Sequence, residues 1–165
     1  MAAVASASSA EKTRQFLDKL NLSCTGYGSY EELVRDNNVD VVYVATPHSH
    51  HFQHVMLALE AGKHVLCEKP LTVNATQAKL LCDEARRRKL FLMEAVWTRF
   101  LPLTIDIVEK IQRGTIGEVL RVIGDTSFGD EVEKTWGTEH RMLNKSLAGG
   151  ALLDCELTYV THPKV

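Results

Sequence analysis

No run of apolar residues in this chain approaches the ~20 that a membrane-spanning helix needs, which excludes a helical membrane span. Charge of one sign is not in excess. Nineteen Lys and Arg stand against 21 Asp and Glu, a net charge of -2. That balance gives no electrostatic case for nucleic acid or an anionic membrane surface. Cysteine is sparse, and Cys24, Cys67, Cys82 and Cys155 contain no closely spaced pair of the zinc-knuckle kind. The first residues are small and apolar but carry no basic residue before Lys12, so the charged start of a secretory signal is missing. These features suit a cytoplasmic, reduced chain with free thiols, Cys67 and Cys82 being expected in apolar surroundings. What is present is ordinary. The chain has 165 residues, 45% hydrophobic and 24% charged, enough to support one globular core rather than disorder.

Punctuation divides the chain into short segments. Ser8 or Ser9 can cap a helix over residues 10–21 with Phe16, Leu17 and Leu20 inward. Ser29, with Glu32 three places on, predicts a capping box for a helix over residues 30–35. Residues 39–46 form a β-branched run without alternation, as expected of a strand buried on both faces, and Pro47 ends it. A helix over residues 49–61 comes next, with Phe52, Val55, Met56 and Leu59 on one side and Gly62 just past its end. Residues 64–67 read as a second buried strand. Asn74 caps a helix running to Lys89, with Ala78, Leu81, Cys82 and Ala85 inward. Residues 91–94 read as a third strand, Pro102 opens another helix that Gly114 stops, and residues 118–125 look like a longer strand.

Strands alternating with helices imply parallel β-α-β units, in which ligands sit beyond the carboxyl ends of the strands. Attention therefore falls on the residues just after each strand: Ser6 to Ser8, Thr46 to His48, Glu68 to Pro70, and Ala95 to Trp97. A lysine in the position of Lys69 points into the crevice. There, beside a cationic ring or in a partly dry site, such an amine can exchange a proton near neutrality. The alternative is an ordinary solvated lysine at a strand end. His48, His50, His51 and His54 crowd one stretch, and His50 and His54 share a helix face, a two-ligand zinc arrangement without a carboxylate among them. Solvated helix histidines are the plainer reading. Gly26 and Gly28 suggest a phosphate loop, but position 31 is Glu and no strong strand pattern precedes them, so a turn is expected. Trp136, His140 and Arg141 fit either a substrate-side cluster or a packed loop.

Several stretches point to a known family. Residues 41–51, VVYVATPHSHH, and residues 61–70, AGKHVLCEKP, resemble the glucose–fructose oxidoreductase / inositol dehydrogenase / rhizopine-catabolism (Gfo/Idh/MocA) family. Residues 91–100, FLMEAVWTRF, with EHRM at 139–142 and AGGALLD at 148–154, are similar to its dihydrodiol dehydrogenase and NADP-dependent D-xylose dehydrogenase branch. The resemblance implies NAD(P)-dependent oxidation of an aldose of the D-xylose type, or of a trans-dihydrodiol, with NADP the expected cofactor and NAD the alternative. It also implies a small-molecule substrate and a homodimer for an intact member. It assigns Lys69 as the catalytic lysine and Asp154 as the acidic residue of an Asp-x-Gly-x-His/Tyr motif. Thr46, Pro47 and His51 lie along the cofactor, Glu68 and Pro70 flank the nicotinamide site, and Trp97 and Arg99 line that pocket.

The chain departs from the pattern in two places. It contains no Gly-x-Gly-x-x-Gly, so the family's first βα unit is missing, and Ala7-Ser8 stand where NADP users carry Arg. Beyond Asp154 the expected Gly and His/Tyr are replaced by Glu156 and Thr158, with Tyr159 one place late. The expected architecture is therefore α/β: a partial Rossmann-type parallel sheet over residues 1–97 and the start of an α+β substrate domain over 98–165. A chain truncated at both ends is the matching expectation. The alternative function is a catalytically inactive fragment or an interaction subunit of the same family.

Overall fold

The computed structural model describes residues 1–6, 9–124 and 132–156. Five strands and their crossover helices succeed one another in the order β1 (Ala3–Ala5), α1 (Ala10–Lys19), β2 (Thr25–Tyr27), α2 (Tyr30–Arg35), β3 (Val41–Val44), α3 (His51–Glu60), β4 (His64–Glu68), α4 (Ala75–Arg88) and β5 (Leu92–Ala95). The helices α5 (Pro102–Gln112) and α6 (Val132–Trp136) come after them. All pairings are parallel. They fall into two sheets, β1-β2 and β3-β4-β5. In the larger sheet Val44 lies opposite Cys67, and Glu68 opposite Ala95, so the carboxyl ends of β3, β4 and β5 stand side by side.

Local chemistry places the elements. Ser9, Ser29 and Asn74 cap α1, α2 and α4, each side-chain oxygen accepting a backbone N–H of the first turn. The reach-back of Glu32 goes one residue further than a capping box, to the Gly28 N–H at 3.2 Å. Gly62, at φ 78°, closes α3 in the left-handed region that glycine occupies without cost. The core lies on one face of the three-stranded sheet. Val44, Val65 and Cys67 pack there beneath Val55, Ala58 and Leu59 of α3 and Leu81 and Ala85 of α4. Each fully buried aliphatic side chain there contributes about 1.5–3 kcal/mol.

Several expectations need correction. β3 is not buried on both faces: Val41 and Tyr43 are 54% and 56% exposed, because no described helix covers that side of the sheet. In α1 the buried positions are Thr13 and Leu17, while Phe16 and Leu20 face outward. Residues 25–27 form a strand rather than a turn. Gly26 lets α1 pack closely on this strand, since a Cβ there would stand 3.1 Å from the Leu17 and Thr13 side chains. Cys67 is buried, but Cys82 is only half-buried. Residues 118–124 form no strand. They pair with no described strand, and Leu120, Val122 and Ile123 are exposed. Ala7, Ser8, Asp125, Thr158 and Tyr159 lie outside the described residues. No described helix is long and apolar enough to cross a membrane.

Candidate active site

Three loops leave the aligned strand ends. After β3, Thr46 and Pro47 lead into a 3-10 turn, His48–His50. After β4 comes Lys69-Pro70, joined by a cis peptide bond. After β5, Val96 leads into a second 3-10 turn, Trp97–Phe100. His51 ties the first two loops together. Its ring is fully buried, with Nε2 2.8 Å from the Thr46 carbonyl and Nδ1 2.6 Å from the Pro70 carbonyl. A neutral ring donates to one of these carbonyls, an imidazolium to both. Behind the second loop, Glu94 Oε1 accepts the Leu71 N–H at 2.7 Å, fixing the chain as it leaves Pro70.

The candidate side chains meet above these loops. Lys69 Nζ lies 3.2 Å from Asp154 Oδ1 and also donates to the Asp154 carbonyl oxygen; the two side chains are only 16% and 11% exposed. Asp154 belongs to a π-helical turn, Leu152–Glu156, which brings it over the end of β4. Two further groups face the same carboxylate oxygen: His48 Nε2 at 3.5 Å and Arg141 Nη1 at 3.9 Å. His48 is buried, and its Nδ1 donates to the Ala148 carbonyl at 3.1 Å. Burial pushes the His48 pKa down, against the opposing pull of the Ala148 carbonyl and Asp154. One carboxylate thus gathers a lysine, a histidine and an arginine, the setting in which charge-assisted hydrogen bonds offset desolvation.

Glu68 is held from both sides. Tyr43 Oη donates to Oε1, and the Lys69 backbone N–H donates to Oε2 at 3.3 Å. The bond to Glu68 pushes the Tyr43 phenol up to about 12, with burial a lesser cause. Trp97 and Arg99 are exposed on the turn after β5, while Thr46 and Pro47 are half-buried.

The structure therefore brings Lys69 and Asp154 into contact and sets Thr46, Pro47, Glu68, Pro70, Trp97 and Arg99 along one row of strand ends. His51 is behind the row, buried against the Thr46 and Pro70 carbonyls. Sequence reasoning placed His48 just after a strand and within a histidine cluster, but not beside Asp154. Its partners, Ala148 and Asp154, are about a hundred residues away and left no local signal. His50 and His54 stack with ring centroids 5.7 Å apart, and Ser49 and Thr46 bond to their Nδ1 atoms. Trp136 and His140 pack together at 5.3 Å.

This row of carboxyl ends suits the nicotinamide half of a dinucleotide, with an exposed indole face at Trp97 and an enclosed amine at Lys69. No glycine-rich phosphate turn accompanies it within the 165 residues. Comparison with known proteins agrees with the arrangement. Residues 2–96 match the model of the Gfo/Idh/MocA oxidoreductase family, NAD-binding Rossmann fold. D-xylose 1-dehydrogenase (NADP(+)) of Hypocrea jecorina is 56% identical over 158 residues, covering 92% of this chain and 40% of that enzyme. Trans-1,2-dihydrobenzene-1,2-diol dehydrogenase of Macaca fuscata fuscata is 46% identical over 143 residues, 87% of this chain and 41% of that one. Among solved structures, the 3-ketoreductase KijD10 from Actinomadura kijaniata, in complex with NADP and TDP-benzene, superposes with a TM-score of 0.65 at 35% identity. It covers 72% of this chain and 35% of that protein. The chain spans about two fifths of the length of the curated relatives it matches.

Proposed function

The chain belongs to the Gfo/Idh/MocA oxidoreductase family, and from that premise we propose that it takes part in NADP-dependent oxidation of a CH–OH group, on an aldose of the D-xylose type or on a trans-dihydrodiol. The observation that carries this reading is the enclosed Lys69–Asp154 contact at the carboxyl end of β4. When bound, the nicotinamide supplies the acceptor for the hydride that leaves the carbinol carbon. Lys69, as the free amine, takes the hydroxyl proton as the C=O bond forms, and Asp154 holds the resulting ammonium in place. Thr46, Pro47, Glu68, Pro70, Trp97 and Arg99 are the residues proposed to hold the cofactor's nicotinamide end. His51 keeps the loops after β3 and β4 at a fixed separation, so a cofactor spanning them meets a prepared surface.

The relatives' names divide between a sugar and a dihydrodiol, and the aldose is favoured because the D-xylose enzyme shares the higher identity over more of the chain. The test has two stages. NADPH fluorescence is titrated with the chain, and the rate of NADP reduction is then measured with D-xylose and with a trans-dihydrodiol. Saturable binding and faster turnover of D-xylose support the proposal. Absence of binding up to millimolar cofactor overturns it.

A further inference from the structure

Both ring nitrogens of His48 face the segment that carries Asp154. Nδ1 lies 3.1 Å from the Ala148 carbonyl oxygen, and Nε2 lies 3.5 Å from Asp154 Oδ1. A carbonyl oxygen only accepts, so the proton between Nδ1 and Ala148 belongs to the ring. In the neutral ring Nε2 is then bare, and its lone pair faces a carboxylate oxygen, acceptor against acceptor. A proton at Nε2 turns this into a charge-assisted contact. Asp154 thus favours the imidazolium while burial of the ring opposes it, and His48 is able both to take a proton and to lose it.

The same oxygen, Oδ1, is 3.2 Å from Lys69 Nζ, so it stands between an amine and an imidazole. Arg141 Nη1, at 3.9 Å, is the third cation on it, and a guanidinium does not give up its proton in a protein. A carboxylate is charged at neutral pH, so a proton crosses Asp154 without resting there. Among the described residues around Oδ1, His48 is left as the group that takes up a proton beside Lys69 near neutrality. His51, its ring centroid 5.7 Å from that of His48, has both nitrogens on the Thr46 and Pro70 carbonyls.

We infer that His48 acts on Lys69 through Asp154, as the positioning residue that receives the proton of the oxidation and returns Lys69 to the free amine. This rests on the oxidation proposed above. As the hydride leaves the carbinol carbon, Lys69 Nζ takes the hydroxyl proton and becomes an ammonium. One N–H bond then breaks toward Oδ1, its electron pair staying on Nζ. The O–H bond formed on Oδ1 breaks in turn, its pair staying on the oxygen, and an N–H bond forms at Nε2. Lys69 ends neutral, Asp154 charged and His48 an imidazolium. Nδ1 keeps its bond to Ala148 throughout, so the ring does not turn.

Nitrogen-15 NMR of the histidine side chains in the full chain tests the coupling without turnover, and His48→Asn identifies the His48 resonances among the seven histidines. The neutral ring should carry its proton on Nδ1. Asp154→Asn removes the anion and should lower the His48 titration midpoint by about one pH unit or more, whereas Lys69→Met removes a cation and should raise it. A neutral ring protonated at Nε2, or a midpoint that neither variant moves, overturns the inference. Turnover gives the second arm. His48→Asn puts an amide nitrogen where Nδ1 stood, so the bond to Ala148 is kept and the titrating nitrogen is lost. It should lower kcat for D-xylose by about tenfold or more with little change in KM. The fall in kcat on acidification should share its midpoint with the His48 titration and be missing from the variant. A variant with undiminished kcat and an unchanged pH profile overturns the proton route. No NADP reduction by the unaltered chain overturns the oxidation itself, and because the NMR titrations need no turnover the two failures are told apart.

Discussion

Lys69 and Asp154 are 85 residues apart in the sequence, yet Nζ lies 3.2 Å from Oδ1, both side chains are largely enclosed, and the lysine also bonds the aspartate's own carbonyl. A lysine so held is limited in rotamer and in hydration. Besides Asp154, the group with which it can exchange a proton is one that enters the remaining opening. Lys69→Met keeps the stem and removes the amine. It should lower the rate of NADP reduction by about two orders of magnitude, the usual share of a positioned acid–base group. Asp154→Asn keeps the shape and loses the charge, so it should slow the rate less. Initial rates at saturating cofactor decide. Undiminished turnover of the Met variant would remove Lys69 from the proposed mechanism.

His48 fastens residues 148–154 to the Rossmann part of the chain. Its two ring nitrogens face two acceptors there, the Ala148 carbonyl and the Asp154 carboxylate. His48→Ala leaves the Ala148 carbonyl without this donor, at a cost of about 1–3 kcal/mol for a buried polar group. The loss should be local. The amides of Gly149 and Gly150, which donate to Asn144 and Met142 at 3.0 and 2.8 Å, should exchange faster, while those of β4 stay protected. Equal acceleration in β4 would show that His48 supports the whole fold rather than this segment.

Much of the architecture was legible in the sequence for a definable reason. Capping serines and asparagine, Gly62 and Pro102 act over three or four residues, and these boundaries are visible in a single chain. Lys69 could be singled out because it comes directly after a strand pattern. What escaped was set by distance. Nothing near His48 announces Ala148, and nothing near Val41 announces that its side of the sheet lacks cover. The β-branched pattern at residues 118–124 is visible in the sequence, yet these residues pair with no described strand. Local chemistry specifies an element; a ladder or a covered face needs a partner that a short window does not contain.

Cys67 gives a prediction independent of catalysis. The thiol is fully buried in the core, and burial pushes its pKa up to about 12, with Glu94 and Glu68 adding to the effect. Only a thiolate reacts with alkylating agents. Iodoacetamide at neutral pH should therefore label the half-buried Cys24 and Cys82 first and leave Cys67 unmodified until the chain is denatured. Peptide mass spectrometry after timed quenching reads the order. Early labelling of Cys67 would mean that the sheet opens on the timescale of the reaction.

Two histidines set the acid side of stability. Burial holds both His48 and His54 below the ordinary value of 6.5. Around His48, the Ala148 carbonyl and Asp154 oppose the effect of burial, while His51 and Lys69 add to it; around His54, Glu31 opposes it, while His50 and His51 add to it. A histidine with a depressed folded pKa binds fewer protons in the native than in the unfolded state. Unfolding is then favoured as pH falls through the unfolded value toward the folded one, and stability is fully present only above about 6.5. Carboxylates with lowered pKa, Asp36, Asp83 and Glu84, act further down. Their contribution is lost only below the ordinary carboxylate range, and for Glu84 that loss extends to about 2. The interval between about pH 5 and 7 therefore belongs to the histidines. The midpoint of thermal unfolding should fall across it on acidification. His48→Gln with His54→Gln should flatten that fall while leaving the steeper drop at lower pH, and calorimetry of both proteins at matched ionic strength measures the difference. A double variant with an unchanged slope would place the titrating groups elsewhere.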